Sequence, residues 1–200
     1  LKNEKIHTEV CCVILSGGVS SRMNRHKALL RFAENENFLE NIIAVYKRFG
    51  LEKIIVVANE NLFDEISKKD EQVVFVKNNS PEKGRLFSLQ LAFSEMTTPF
   101  CFVQNIDNPF VNNSTLESIW EHRFDADYVT PTFQEKGGHP ILMNEHVIEH
   151  LTLVSDYTKT LKDLLNNFSR KKIATTDASC LININTPEDY ELYFPNNPTE

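Results

Sequence analysis

Short apolar runs alternate with segments whose apolar residues recur every three or four positions, and this rhythm persists to the end of the chain. Residues 10–15 (VCCVIL) form a continuous apolar run of strand length, the pattern of a strand buried on both faces. Phe38–Phe49 then sets Leu39, Ile42, Ile43, Tyr46 and Phe49 at helical spacing, and Gly50 follows where a C-terminal glycine cap belongs. The same reading predicts strands at 53–58, 72–76 and 100–103, and helices at 61–67, 84–96 and 112–122. Further on, 127–132 and 141–143 read as a hairpin around a Gly137-Gly138 turn. Helices at 145–151 and 158–167 precede strands at 172–175 and 181–184. Thr186-Pro187-Glu188-Asp189 then opens a last helix, with Thr as N-cap, Pro at the first position and acids in the first turn.

Alternating strands and helices predict an α/β fold: a three-layer α/β/α arrangement on a mostly parallel, Rossmann-like sheet, with a hairpin excursion. No repeat, low-complexity linker or shift of composition divides the chain. One domain is therefore expected over residues 1–200, with a core of about 10–193 and frayed polar ends at 1–9 and 195–200. In such sheets ligands lie beyond the carboxyl ends of the strands. The residues that follow each strand are where chemistry should be sought.

Composition narrows the function classes. Lys+Arg 21 against Asp+Glu 28 gives a net charge of −7, which leaves no broad basic face for nucleic acid. No apolar run approaches the ~20 residues of a membrane span, and the run at residues 10–15 is too short, and its flank too acidic, for a signal peptide. Cys11, Cys12, Cys101 and Cys180 form no CxxC pair, and three of them lie in apolar strand-like runs. Reduced core thiols and a cytoplasmic protein are the expectation. His146 and His150 lie four apart on a solvated helix face, where Glu145 and Glu149 precede them without making an HExxH. Oligomeric state is not legible.

Glycine is scarce, six in 200 residues, under half the usual share of about 7%. Apart from the cap at Gly50, Gly17, Gly18, Gly84, Gly137 and Gly138 all fall in turns between elements. There a missing side chain permits positive φ or close approach to a ligand. The first of these turns follows the first strand directly and gathers Arg22, Arg25 and Lys27 behind Gly17-Gly18. Backbone N–H groups beside permanent cations make an anion site; a solvated basic loop is the plain alternative. It is neither GxxxxGK[ST] nor GxGxxG, which sets aside a Rossmann-type oxidoreductase.

The segment Leu15-Ser16-Gly17-Gly18-x-Ser-x-Arg22-Met23-x-x-x-Lys27-Ala28-Leu29 resembles the signature of the nucleotidyltransferases that attach a nucleotide to molybdenum cofactor, L-A-[AG]-G-x-S-x-R-M-G-x-x-K-x-L. It departs at Ser16, usually Ala, and at Asn24, usually Gly. Other landmarks recur in order. Asn79-Ser80-x-x-x-Gly84-x-x-x-Ser88-Leu89-x-x-Ala92 resembles the segment that holds base and ribose, and Asp107-x-Pro109 resembles the family's Mg²⁺-binding D-x-P. Gly138-His139-Pro140 resembles the GHP of cytidylyl-type members. Asn183-Ile184-Asn185-Thr186-Pro187 resembles the closing motif, where many relatives carry Asp in place of Asn183. The likeness covers about residues 10–190.

The resemblance implies transfer of a nucleoside monophosphate from an NTP to a phosphorylated acceptor, molybdopterin first, with release of pyrophosphate and Mg²⁺ as cofactor. It assigns Arg22, Lys27 and Asp107 to catalysis. Leu15, Ser16, Gly17, Gly18, Asn79, Gly84 and Ser88 join Arg22 and Lys27 in holding the nucleotide. Asp107 and Asn183 hold the metal, and Gly138 and His139 form the acceptor side. His139 either positions an acceptor phosphate or pins the hairpin. Two segments lean toward GTP, Leu15–Gly18 and the Asn183 motif; two lean toward CTP, Gly84-x-x-x-Ser88-Leu89 and the GHP, with CTP slightly ahead. A sugar phosphate or another phosphorylated alcohol as acceptor, and a non-catalytic module of the same fold, stay open.

Overall fold

The computed structural model describes residues 7–18, 23, 25–67 and 73–195. In chain order the elements are β1 (Val10–Ser16), β2 (Arg31–Ala33), β3 (Glu36–Asn37), α1 (Phe38–Phe49), β4 (Ile54–Asn59), α2 (Glu60–Ile66) and β5 (Val73–Asn78). They continue with α3 (Gly84–Phe93), β6 (Phe100–Asn105), α4 (Asn113–Glu121), β7 (Tyr128–Phe133), β8 (Lys136–Gly137) and β9 (Ile141–Asn144). The last are α5 (Glu145–Leu153), α6 (Leu161–Leu165), β10 (Arg170–Ala174) and α7 (Pro187–Tyr193).

The main sheet runs β10-β7-β9-β6-β1-β4-β5, with β8 added beside β7; β2 and β3 form a separate small ribbon. Strands β6, β1, β4 and β5 are parallel to one another, and β9 is antiparallel to both of its neighbours, β6 and β7. The expected mixed α/β architecture is what the chain adopts.

Alternation along β1 explains its unbroken apolar run. Val10, Cys12 and Ile14 enter one core with α1, α4 and α7 residues such as Ile42, Leu116 and Tyr190. Cys11, Val13 and Leu15 enter the other, with Leu86 and Leu89 of α3 and Val147 and Leu151 of α5. A strand covered on both faces has no polar side to show.

Three expectations are corrected. The hairpin after β7 turns at Gln134 and Glu135, both at positive φ (47° and 65°), not at Gly137-Gly138. Gly137 instead lies within β8, paired with Thr132. Residues 181–184 are not a strand: a 3₁₀ turn at Ala178–Leu181 leads into an extended segment that runs beside the loop after β6. There the Ile184 N–H donates to the Asp107 carbonyl (2.7 Å), so the backbone is satisfied by a loop rather than a ladder. The segment 158–167 is helical only over Leu161–Leu165.

Candidate active site

β1 lies between β4 and β6, so its carboxyl end opens at the middle of the sheet rim. A cleft of about 240 Å³ sits there. Leu15 and Ser16 line it from the end of β1, Gly17 and Gly18 from the residues that follow, and His26 and Lys27 from the start of a 3₁₀ turn at Lys27–Leu29. Pro81, Gly84, Arg85 and Ser88 come from the start of α3, and Asn105, Ile106 and Asp107 from the end of β6.

Lys27 and Asp107, eighty positions apart in sequence, meet in this cleft with Nζ 3.8 Å from a carboxylate oxygen. The lysine Nζ also donates to Asn185 Oδ1 at 2.7 Å. The other oxygen of Asp107, Oδ1, is buried and has no hydrogen-bond partner among the described residues. An unsatisfied buried carboxylate oxygen is costly in a folded protein. It is also the hard donor that a divalent cation takes. Among the described residues no group of three or more His, Cys, Asp or Glu is placed to hold a metal.

The loop that carries Asp107 is fastened from several sides. Gln104, fully buried, accepts from Tyr46 Oη (3.2 Å) and donates to the Asn105 and Asn108 carbonyls (3.0 and 2.8 Å). Asn108 donates to the Ser179 and Ile182 carbonyls, and Asn41 to the Pro109 carbonyl (2.8 Å). Such a buried network holds one backbone conformation, because any loosening leaves polar atoms unpaired.

Gly84 has φ +80° and ψ −164°, a conformation open essentially to glycine alone, and this lets the turn Pro81–Lys83 pass into α3. Gly17 and Gly18 do not share that reason, since neither has positive φ. A Cβ on Gly17 would lie an ordinary 3.6 Å from Ser88 Oγ, and one on Gly18 would meet nothing within 4 Å. Their missing side chains leave space in the cleft instead. Gly138 is required by packing: a Cβ there would lie 2.5 Å from the Cys180 carbonyl oxygen.

Arg22 and Asn24 lie outside the described residues. Asn79 is exposed and outside the cleft lining; its neighbour Asn78 is the buried one, donating to Ser88 Oγ (3.0 Å) and accepting from Ser80 N–H (2.8 Å). β5 runs two residues further than the apolar run suggests, which shifts the inward position to Asn78. Asn183 is exposed, with Nδ2 3.4 Å from the Leu181 carbonyl. His139 turns its ring to Asn105, whose Nδ2 lies 3.0 Å from Nε2. Burial, reinforced by the nearby Arg85 charge, lowers the His139 pKa to about 4. The ring is therefore neutral at pH 7 and accepts from the Asn105 amide.

A family model described as "MobA-like NTP transferase domain" matches residues 12–173, well over half of the chain. The chain belongs to this family. A probable molybdenum cofactor guanylyltransferase of Clostridium perfringens (strain 13 / Type A) is 30% identical over 190 residues, covering 89% of this chain and 92% of that one. The molybdenum cofactor cytidylyltransferase of Escherichia coli (strain K12) is 25% identical over 180 residues, covering 90% and 92%. In fold, the crystal structure of Rv0371c from Mycobacterium tuberculosis H37Rv superposes with a TM-score of 0.79 at 19% identity, covering 94% of this chain and 100% of that one. As a MobA-like nucleotidyltransferase, the protein uses a nucleoside triphosphate, and among the described residues no helix is long and apolar enough to cross a membrane.

Within this MobA-like domain, sequence reasoning left Asn78, Asn105, Asn185 and Arg85 without a role. Asn78 and Asn105 each end a strand, a signal visible only once the strand boundaries are known. Asn185 directly precedes the N-cap threonine of α7, and its polar neighbourhood hid it among capping residues.

Proposed function

We propose that this protein transfers a nucleoside monophosphate from CTP or GTP to a phosphorylated acceptor, molybdopterin first, in keeping with relatives named for the molybdenum cofactor. The meeting of Lys27 and Asp107 in one cleft beside the glycine turn is the observation that carries this reading. Transfer at phosphorus asks the protein mainly to position two anions and offset their charge. Lys27, with Arg22, balances the triphosphate tail and the pyrophosphate that leaves. Gly17 and Gly18 leave room for the nucleotide against β1, with Ser88 on the α3 wall.

Asp107 would hold Mg²⁺ through its unpartnered oxygen, and Asn183 is proposed as a second ligand on the adjoining segment. The cation, when bound, neutralises charge between donor and acceptor. Asn185 keeps the Lys27 ammonium aimed beside Asp107 rather than into solvent.

CTP ahead of GTP remains the finer proposal, because the two segments that lean toward CTP shape the acceptor side as well. Competition among the four NTPs in a pyrophosphate-release assay, with molybdopterin and Mg²⁺, tests the base. In the same assay Lys27→Ala should lower turnover by about two orders of magnitude or more with the thermal midpoint nearly kept. Asp107→Asn should weaken the dependence on Mg²⁺. Normal turnover in K27A would sink the reading.

A further inference from the structure

Arg85 stands one residue past Gly84, at the start of α3, and lines the cleft. Its side chain is exposed, and among the described residues its guanidinium makes no hydrogen bond or ion pair. The contrast with its neighbours is sharp. Lys27 is engaged with Asn185 and Asp107, and Lys83 lies over the Phe87 ring at 4.6 Å. Lys27 and Arg85 are the two permanently charged cations among the described residues that line the cleft.

Nucleotidyl transfer brings two anionic substrates together. Lys27 and Mg²⁺ serve the triphosphate and the oxygen that attacks it, and the acceptor's remaining phosphate oxygens carry charge that a further cation can offset. Arg85 lines the same cleft as Asn105, whose amide meets the His139 ring at 3.0 Å. An arginine fork matches the oxygens of a phosphate monoester in bidentate fashion, which an ammonium does not.

We propose that Arg85 binds the phosphate of the acceptor and restricts the protein to phosphate monoesters, excluding free alcohols. The inference rests on the nucleotidyl-transfer reading of the same cleft. In the step, a monoester oxygen of the acceptor forms a bond to the α-phosphorus of the NTP. The bond from that phosphorus to the α,β-bridging oxygen breaks, and pyrophosphate leaves with that electron pair. The product carries a diphosphate linkage, and Arg85 stays on the acceptor's remaining phosphate oxygens.

The test fills the donor site with the α,β-methylene analogue of CTP or GTP plus Mg²⁺ and then titrates inorganic phosphate calorimetrically into wild type, Arg85→Ala and Arg85→Lys. R85A should lose about tenfold or more in phosphate affinity, with R85K between it and wild type, while the affinity for the analogue changes less than about twofold. In turnover with molybdopterin, R85A should raise the acceptor KM by a similar factor and leave the NTP KM in place. The dephosphorylated acceptor should be inert with wild type. Unchanged phosphate affinity in R85A, loss of analogue binding in R85A, no phosphate binding by wild type, or turnover of the dephosphorylated acceptor each overturns the assignment of Arg85. Failure of the wild type to bind the analogue overturns the nucleotidyl-transfer reading itself, and the Arg85 assignment with it.

Discussion

At the scale of single residues, the site depends on groups held in one protonation state by their surroundings. His139 is the clearest. With its pKa lowered by burial to about 4, the folded protein keeps the ring neutral while the unfolded chain, at about 6.5, takes up a proton more readily. Between pH 6.5 and 4 the unfolded state therefore binds more protons, and stability falls as pH falls through that window. The loss is on the order of 3 kcal/mol when complete. Replacing His139 with Asn should flatten this part of the stability curve, measured by urea unfolding at pH 7.5 and pH 4.5. An equal acid sensitivity in variant and wild type would mean that other groups account for it. The pairing of Asn105 with this ring was not legible from the GHP motif, because Asn105 is thirty-four positions away and only the β6–β9 pairing brings the two together.

At the scale of elements, asparagine and threonine caps set where helices begin, and one cap reaches into the site. Asn37, Asn59, Asn112 and Asn144 each accept from a first-turn N–H, starting α1, α2, α4 and α5. At α7, Thr186 and Asp189 form a reciprocal capping box, and the Asp189 carboxylate also accepts from Asn185 N–H at 2.9 Å. Those backbone donors, that of Asn185 foremost, hold the Asp189 carboxyl below its usual pKa. Thr186→Ala should cost about 1 kcal/mol, seen as a drop of roughly 2–4 °C in the thermal midpoint. It should also lower turnover, because Asn185 steadies Lys27. A second element-scale prediction concerns two glycines that the structure requires for different reasons. Gly84→Ala should cost about 1–3 kcal/mol through backbone strain alone, while Gly138→Ala should cost as much by pushing against the Cys180 carbonyl. Chemical denaturation of both variants, beside a nearly neutral Gly17→Ala, checks the distinction.

At the scale of the whole molecule, the sheet separates two cores and opens the cleft at the rim where its central parallel strands end. Cys11, Cys12, Cys101 and Cys180 are all buried and unpaired, and burial pushes the Cys12, Cys101 and Cys180 thiols up. Native protein should therefore react slowly with an aromatic disulfide reagent and release all four thiols on denaturation. Rapid native labelling would contradict the packing. The alternation of apolar runs with helical periodicity was enough to establish the layered α/β class, the Phe38–Phe49 helix with its Gly50 cap, and the glycine turn after β1. Each of these depends on neighbours within a few residues, so local pattern carries it. Tertiary structure alone decided that residues 181–184 join the loop after β6 instead of the sheet, that Asn78 rather than Asn79 faces Ser88, and that Lys27, Asp107, Asn185 and Arg85 belong to one place. Their proximity comes from the order in which the strands are laid side by side, a long-range choice of hydrophobic packing that no local window of residues records.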